Sequence, residues 1–187
     1  MNRFHRWYCA TGLWAREISR VASWALQDSE LGPDALEIGP GRGHTTEFLR
    51  PRVDHLTAVE IDPVLADGVR SRFASAGNLK VVTADATDLP FEDQHFSGAA
   101  CFTMLHHVPS ADLQDRLLGE VHRVLRPRAV FAGSDSTATV LFRLAHLGDT
   151  MVLVDPSTFA ARLEAVGFAD VAVDVGERAF RFRGRRR

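Results

Sequence analysis

The sequence predicts a doubly wound α/β fold, one Rossmann-like sheet behind an added N-terminal helix, and three observations carry that prediction. Short apolar runs alternate with segments of helical periodicity, and the residues able to do chemistry fall where the apolar runs end. The third is the stretch Ala35 to Thr46, an apolar strand that ends in the carboxylate Glu37 and passes into Gly39, Gly41 and Gly43. In such a sheet ligands bind outside the carboxyl ends of the strands.

Each element has its own justification. Trp14, Ile18, Val21, Ala22 and Ala25 recur at helical spacing and predict an amphipathic helix over residues 8–27, stopped by Gly32-Pro33. Strand 35–38, helix 45–49 and strand 55–61 follow. Asp62-Pro63 opens the next helix with a capping side chain and a proline in the first turn, and Val64, Leu65, Val69 and Phe73 give it an apolar face. Residues 79–83 and 97–102 read as the third and fourth strands, the latter rich in small residues. Ser110 caps a helix whose stripe is Leu113, Leu117, Leu118, Val121, Val124 and Leu125, stopped by Pro127. Residues 129–132 make a fifth strand, and 138–154 is apolar without a clear period. A helix over 157–166 is closed by Gly167, and 171–175 with 178–183 form an antiparallel hairpin through Gly176-Glu177. The basic end, Arg181 to Arg187, reads as a solvated, partly disordered tail in preference to a phosphate-binding patch.

A chain of 187 residues that is 45% hydrophobic is large enough for one two-sided sheet. Its net charge of -2 points to neither nucleic acid nor an acidic membrane surface. Cys9 and Cys101 are the only cysteines, so no disulfide framework or four-cysteine zinc site is expected. Without a signal core or a long apolar run, a soluble cytoplasmic protein without membrane insertion is the expectation.

The glycines let a backbone turn approach a nucleotide closely. Glu37 narrows the choice, because a carboxylate there would repel a pyrophosphate and suit a cofactor carrying an ammonium and a sulfonium, S-adenosylmethionine. Glu60, about 20 residues past the turn, stands at the next strand end, where a carboxylate can accept from ribose hydroxyls. Asp85, at the end of the third strand, can accept from an adenine amine.

At this point the chain resembles the class I S-adenosylmethionine-dependent methyltransferases, in particular the compact type 11 methyltransferase domains, over residues 34–135. The motifs are Glu37-Ile-Gly-Pro-Gly-Arg-Gly43, Val59-Glu60-Ile-Asp62, Ala84-Asp85-Ala86 with Leu89-Pro90-Phe91, Leu105-His106-His107-Val108, and Glu120-Val-His-Arg-Val-Leu-Arg-Pro127. The resemblance implies a seven-strand sheet with the last strand antiparallel, residues 33–187 as the cofactor domain and residues 1–32 as an added segment that lids the site. By motif, Glu37, Gly39, Gly41 and Gly43 would hold the methionine portion, Glu60 with Ile61 the ribose, Asp85 and Ala86 the adenine, and Phe102 and Thr103 the sulfonium side. One departure is Arg128-Ala129, where the family usually has Gly-Gly. Another is 136–155, which carries no motif and is where substrate identity should be written.

Methyl transfer from a sulfonium is an in-line displacement in which orientation can supply about 7 to 11 kcal/mol, so a catalytic triad is not required. His106 and His107 are the candidates for a general base if the acceptor carries a proton. The blander alternative is that one packs on the cofactor and the other caps the following helix. Trp14 and Trp24 read as core, while Trp7 and Tyr8, with 138–154, are candidates for the wall of a pocket for a small, partly apolar substrate. No Asn/Asp-Pro-Pro-aromatic sequence follows the fourth strand, which disfavours base exocyclic amines as acceptors. Lys80 is the only lysine, which disfavours a lysine-dependent ribose mechanism, and no metal is expected. A catalytically silent cofactor-binding regulatory module is the alternative from another class. An NAD oxidoreductase ranks below both, since His44 stands where its third glycine would be.

Overall fold

The computed structural model of the chain describes residues 12–137 and 151–187. Its elements are α1 (Gly12–Ala25), β1 (Asp34–Ile38), α2 (His44–Leu49), β2 (His55–Glu60), α3 (Pro63–Arg72), β3 (Leu79–Thr83), β4 (Phe96–Phe102), α4 (Ala111–Val124), β5 (Leu125–Ser136), α5 (Pro156–Ala165), β6 (Phe168–Val175) and β7 (Ala179–Arg186). The strands form one seven-stranded sheet in the order β3-β2-β1-β4-β5-β7-β6. β7 runs antiparallel to both of its neighbours, whereas β1 is parallel to β2 and β4. Strand order reverses beside β1, so a crevice opens at the carboxyl ends of β1 and β4.

Alternation along the strands divides the core between the two faces of the sheet. Ala100 and Phe102 of β4 pack with Ile18, Ala22 and Ala25 of α1 and Leu49 of α2. Ala99 and Cys101 face the opposite way, toward Leu117, Leu118 and Val121 of α4 and Phe159 and Leu163 of α5. Aromatic rings fill the β5–β7 end of this second layer, with Phe159 and Phe131 edge-on to Phe182 at 5.0 and 5.1 Å. Helix α1 is therefore a structural layer. Trp14 is half-buried against its core, and Trp24 lies under the Arg181 guanidinium at 5.3 Å. Trp7, Tyr8 and residues 138–150 lie outside the described residues.

Several sequence expectations are corrected. The basic end is no loose tail: Arg181 to Arg186 belong to β7, held between β5 and β6. Phe180 and Phe182 are buried and alternate with the arginines, a period of two that outweighs the run of charge. Val64 does not join the apolar face of α3; it is 69% exposed, half a turn away from the buried Ala66 and Val69. Helix α4 ends at Val124, before Pro127, and β5 begins at once. Its pairing with β4 jumps from Phe96–Leu125 to Gly98–Val130, and Arg128 in the intervening bulge has φ +67°.

Candidate active site at the carboxyl edge of the sheet

The turn between β1 and α2 is built on left-handed glycines, with φ +66° at Gly39, +54° at Gly41 and +81° at Gly43. A Cβ on Gly43 would sit 2.9 Å from the Phe73 ring, so packing as well as conformation selects glycine there. Gly41 is different: a Cβ there would meet nothing within 4 Å, so the turn presents bare backbone to open space.

Beneath this turn Glu37 is fully buried, and each carboxylate oxygen accepts one threonine hydroxyl, Thr45 at 2.5 Å and Thr46 at 2.6 Å. Burial pushes its carboxyl up from 4.5 to about 7, the two hydroxyls oppose that shift, and the nearby Glu60 charge adds to it. The threonines were not singled out in the sequence; their only signal is their place in the first turn of α2, eight and nine residues beyond Glu37.

At the end of β2, Glu60 accepts the Gly41 N–H on Oε2 at 3.0 Å and the Asp62 N–H on Oε1 at 3.1 Å. Ile61 beside it is 65% exposed, an apolar side chain of the kind that can cover a flat ring. The Ala84 N–H donates to the Glu60 carbonyl at 3.1 Å, which brings the β3 end alongside. There Asp85 is exposed, its Oδ1 accepting the Thr87 N–H, and Ala86 is buried. After β4, Phe102 is buried and Thr103, at φ +49°, donates its N–H to the Ser134 carbonyl at 2.8 Å. Met104 then packs beside Gly39, where a Cβ would come within 3.1 Å of it.

The turn Leu105–His107 holds the two histidines. His106 is 2% exposed, with Nδ1 2.5 Å from Oδ1 of the buried Asp135 and its backbone N–H donating to Oδ2 at 3.0 Å. His107 is half-buried, its ring 4.2 Å from that of His106. The N-cap of α4 is Ser110, whose hydroxyl accepts from the Leu113 N–H. Gln114 ties the turn down by donating to the Leu105 and Val152 carbonyls, and the Val152 N–H donates to the His106 carbonyl at 2.8 Å. The sequence signal of Asp135 as a partner is a carboxylate at the end of an apolar strand.

The Glu120–Arg123 motif proves to be a brace. Glu120 accepts the Leu89 N–H at 2.8 Å, and Arg123 donates to the Leu89 and Phe91 carbonyls and to Asp93. It thereby fixes the loop that carries Leu89-Pro90-Phe91 against α4. Among the described residues no group of three or more His, Cys, Asp or Glu is placed to hold a metal ion.

An open glycine cradle, a carboxylate at its tip, a second carboxylate below it and an exposed apolar side chain form a donor set that fits S-adenosylmethionine. The sheet order and this edge define a class I S-adenosylmethionine-dependent methyltransferase fold. The chain belongs to the methyltransferase domain family, whose model matches residues 36–133. It is 35% identical over 111 residues to ribosomal RNA small subunit methyltransferase A of Parasynechococcus marenigrum, a match covering 57% of this chain and 35% of that protein. To the protein of the same name in Rubrobacter xylanophilus it is 47% identical over 158 residues, 75% of this chain and 58% of the relative. The chain thus spans about a third and somewhat over half of these curated relatives. A solved Thermotoga maritima structure, described as a methyltransferase and possible histamine N-methyltransferase, superposes with a TM-score of 0.78 at 19% identity, covering 99% of this chain and 97% of that one. No helix among the described residues is long and apolar enough to cross a membrane.

Proposed function

We propose that the protein methylates a small-molecule acceptor by in-line transfer without a metal ion. When bound, S-adenosylmethionine supplies a methyl group made electrophilic by its sulfonium. On this reading Glu37, Gly39, Gly41 and Gly43 would hold the methionine portion, Glu60 and Ile61 the ribose, Asp85 and Ala86 the adenine, and Phe102 and Thr103 the sulfonium side. Residues 33–187 form the cofactor domain, and residues 1–32 are an added N-terminal segment. His106 and His107 are the groups able to take a proton from the acceptor.

The observation that carries the small-molecule reading is the turn after β4, where Phe102-Thr103-Met104 stands and no proline-proline-aromatic platform for a nucleobase is present. The names of the curated relatives favour a second reading, a ribosomal RNA acceptor. S-adenosylhomocysteine release measured with a panel of small phenols, amines and thiols, and separately with deproteinised ribosomal RNA, tells the two apart. Turnover with a panel member supports the first reading; turnover with RNA alone replaces it.

A further inference from the structure

We propose that Thr45 and Thr46 are positioning residues of the cofactor site, whose hydroxyls clasp the Glu37 carboxylate from α2 and so close the glycine turn that runs between them. The inference rests on the reading of that turn as the cradle of the methionine portion and adds to it the device that holds the cradle's shape and charge.

Helical threonines commonly donate to a carbonyl of their own preceding turn. Thr45 and Thr46 donate instead to β1, the first to Oε1 of Glu37 at 2.5 Å and the second to Oε2 at 2.6 Å. Successive helical residues point about 100° apart, so the carboxylate sits in the angle between the two side chains and is gripped from both sides. Gly39, Gly41 and Gly43 all lie on the loop that this clasp closes. Bulk water cannot take the place of the hydroxyls, because Glu37 and Thr46 are fully buried and Thr45 nearly so.

The clasp also selects a charge state. Each hydroxyl has one proton to donate, and a protonated Glu37 would have to donate its own, so protonation reverses or breaks one of the two bonds. Of the elements packed on Glu37, β2 brings Ala58 and the charge of Glu60, which opposes ionisation, and β4 brings the uncharged Ala100. Helix α2 brings the two hydroxyls, which favour it. No cation among the described residues pairs with Glu37, so the threonines are what keeps it charged.

Valine keeps the shape of threonine and removes its hydroxyl. Carbon-13 NMR of the glutamate carboxyls, with the Glu37 signal assigned by its loss in Glu37→Gln, should show Glu37 ionising at higher pH in Thr45→Val and Thr46→Val than in wild type. Thr45→Ser should keep the wild-type midpoint. Calorimetry at pH 8 on the same samples should show S-adenosylhomocysteine bound roughly 10-fold or more weakly by the valine variants, with wild-type affinity kept in Thr45→Ser. An unchanged midpoint or an unchanged affinity overturns the proposal, since a clasp that only stiffened the fold would lower Tm and move neither. Should the valine variants not fold, wild type alone decides: hydroxyl protons bonded to a buried carboxylate exchange slowly and give their own proton signals, and their absence at Thr45 and Thr46 overturns the proposal as well. Wild-type protein that binds no S-adenosylhomocysteine sinks the cradle reading instead, while the Glu37 midpoints still judge the clasp.

Discussion

Gly41 donates its backbone N–H to Oε2 of Glu60 at 3.0 Å, so the carboxylate that ends β2 holds the tip of the glycine turn. The two motifs are thus one device, and variants at either end should weaken the same ligand. Glu60→Ala should reduce S-adenosylhomocysteine affinity by roughly 10- to 100-fold, the worth of hydrogen bonds to a charged group. Gly41→Ala forces a Cβ onto φ +54°, at a cost of about 1 to 2 kcal/mol, and sets a methyl group in the open space above the turn. Calorimetric titration of a folded Gly41→Ala protein that matched wild-type affinity would remove the turn from the cofactor site.

Glu37 makes stability and binding depend on pH in opposite senses. Its carboxyl, raised from 4.5 to about 7, keeps in the folded chain a proton that the unfolded chain gives up between those values. Its contribution to stability is therefore full below the lower value, declines as pH rises through this window, and levels off above it, a total on the order of 3 kcal/mol. Glu37→Gln should melt progressively higher than wild type as pH is raised from 5 to 8. A ligand ammonium favours the charged carboxylate, so cofactor binding at pH 6 should release close to one proton. Titrations in two buffers of different ionisation heat measure that release, and identical apparent enthalpies would exclude Glu37 as the group that meets the ammonium.

Arg123 joins Glu120, Asp93 and the carbonyls of Leu89 and Phe91, so Arg123→Ala leaves several acceptors without a donor. Allowing for a side chain about one-third exposed, the loss should be about 2 kcal/mol in urea unfolding at neutral pH. The hydrogen bonds from Arg123 also hold the Glu120 carboxyl below its ordinary 4.5. That contribution is present above pH 4.5 and disappears as pH falls through the depressed value, so the gap between wild type and variant should narrow in acid. A gap that stayed constant down to pH 3 would separate the brace from Glu120 ionisation.

The strand ends were legible because glycines and carboxylates at fixed spacing have few other uses, and the same spacing brought Gly41 to Glu60. What was missed lies where one residue type serves several ends. Thr45 and Thr46 look like ordinary first-turn residues until Glu37 is seen buried between sheet and helix. The Asp135–His106 pair joins residues 29 apart that meet only because β5 lies beside β4. The arginines of β7 show in the sequence as a run of charge, although Phe180 and Phe182 among them carry the strand period.

Arg128 stands in the left-handed region at φ +67°, at a position where glycine is usual in the family. Such a conformation costs a residue with a Cβ about 1 to 2 kcal/mol, and glycine returns about 0.5 to 1 kcal/mol of that through the greater entropy of the unfolded chain. The Arg128 side chain is exposed, and its carbonyl, which accepts from Arg185 Nη1 at 3.3 Å, survives substitution. Arg128→Gly should therefore stabilise the protein by up to about 1 kcal/mol, a rise of roughly 2 to 4 °C in Tm for a chain of this size. Arg128→Ala removes the same charge but keeps the Cβ, so it should show no such gain. If both variants rise equally in thermal melts, charge repulsion along the arginine-rich edge, and not backbone strain in the bulge, is what the substitution relieves.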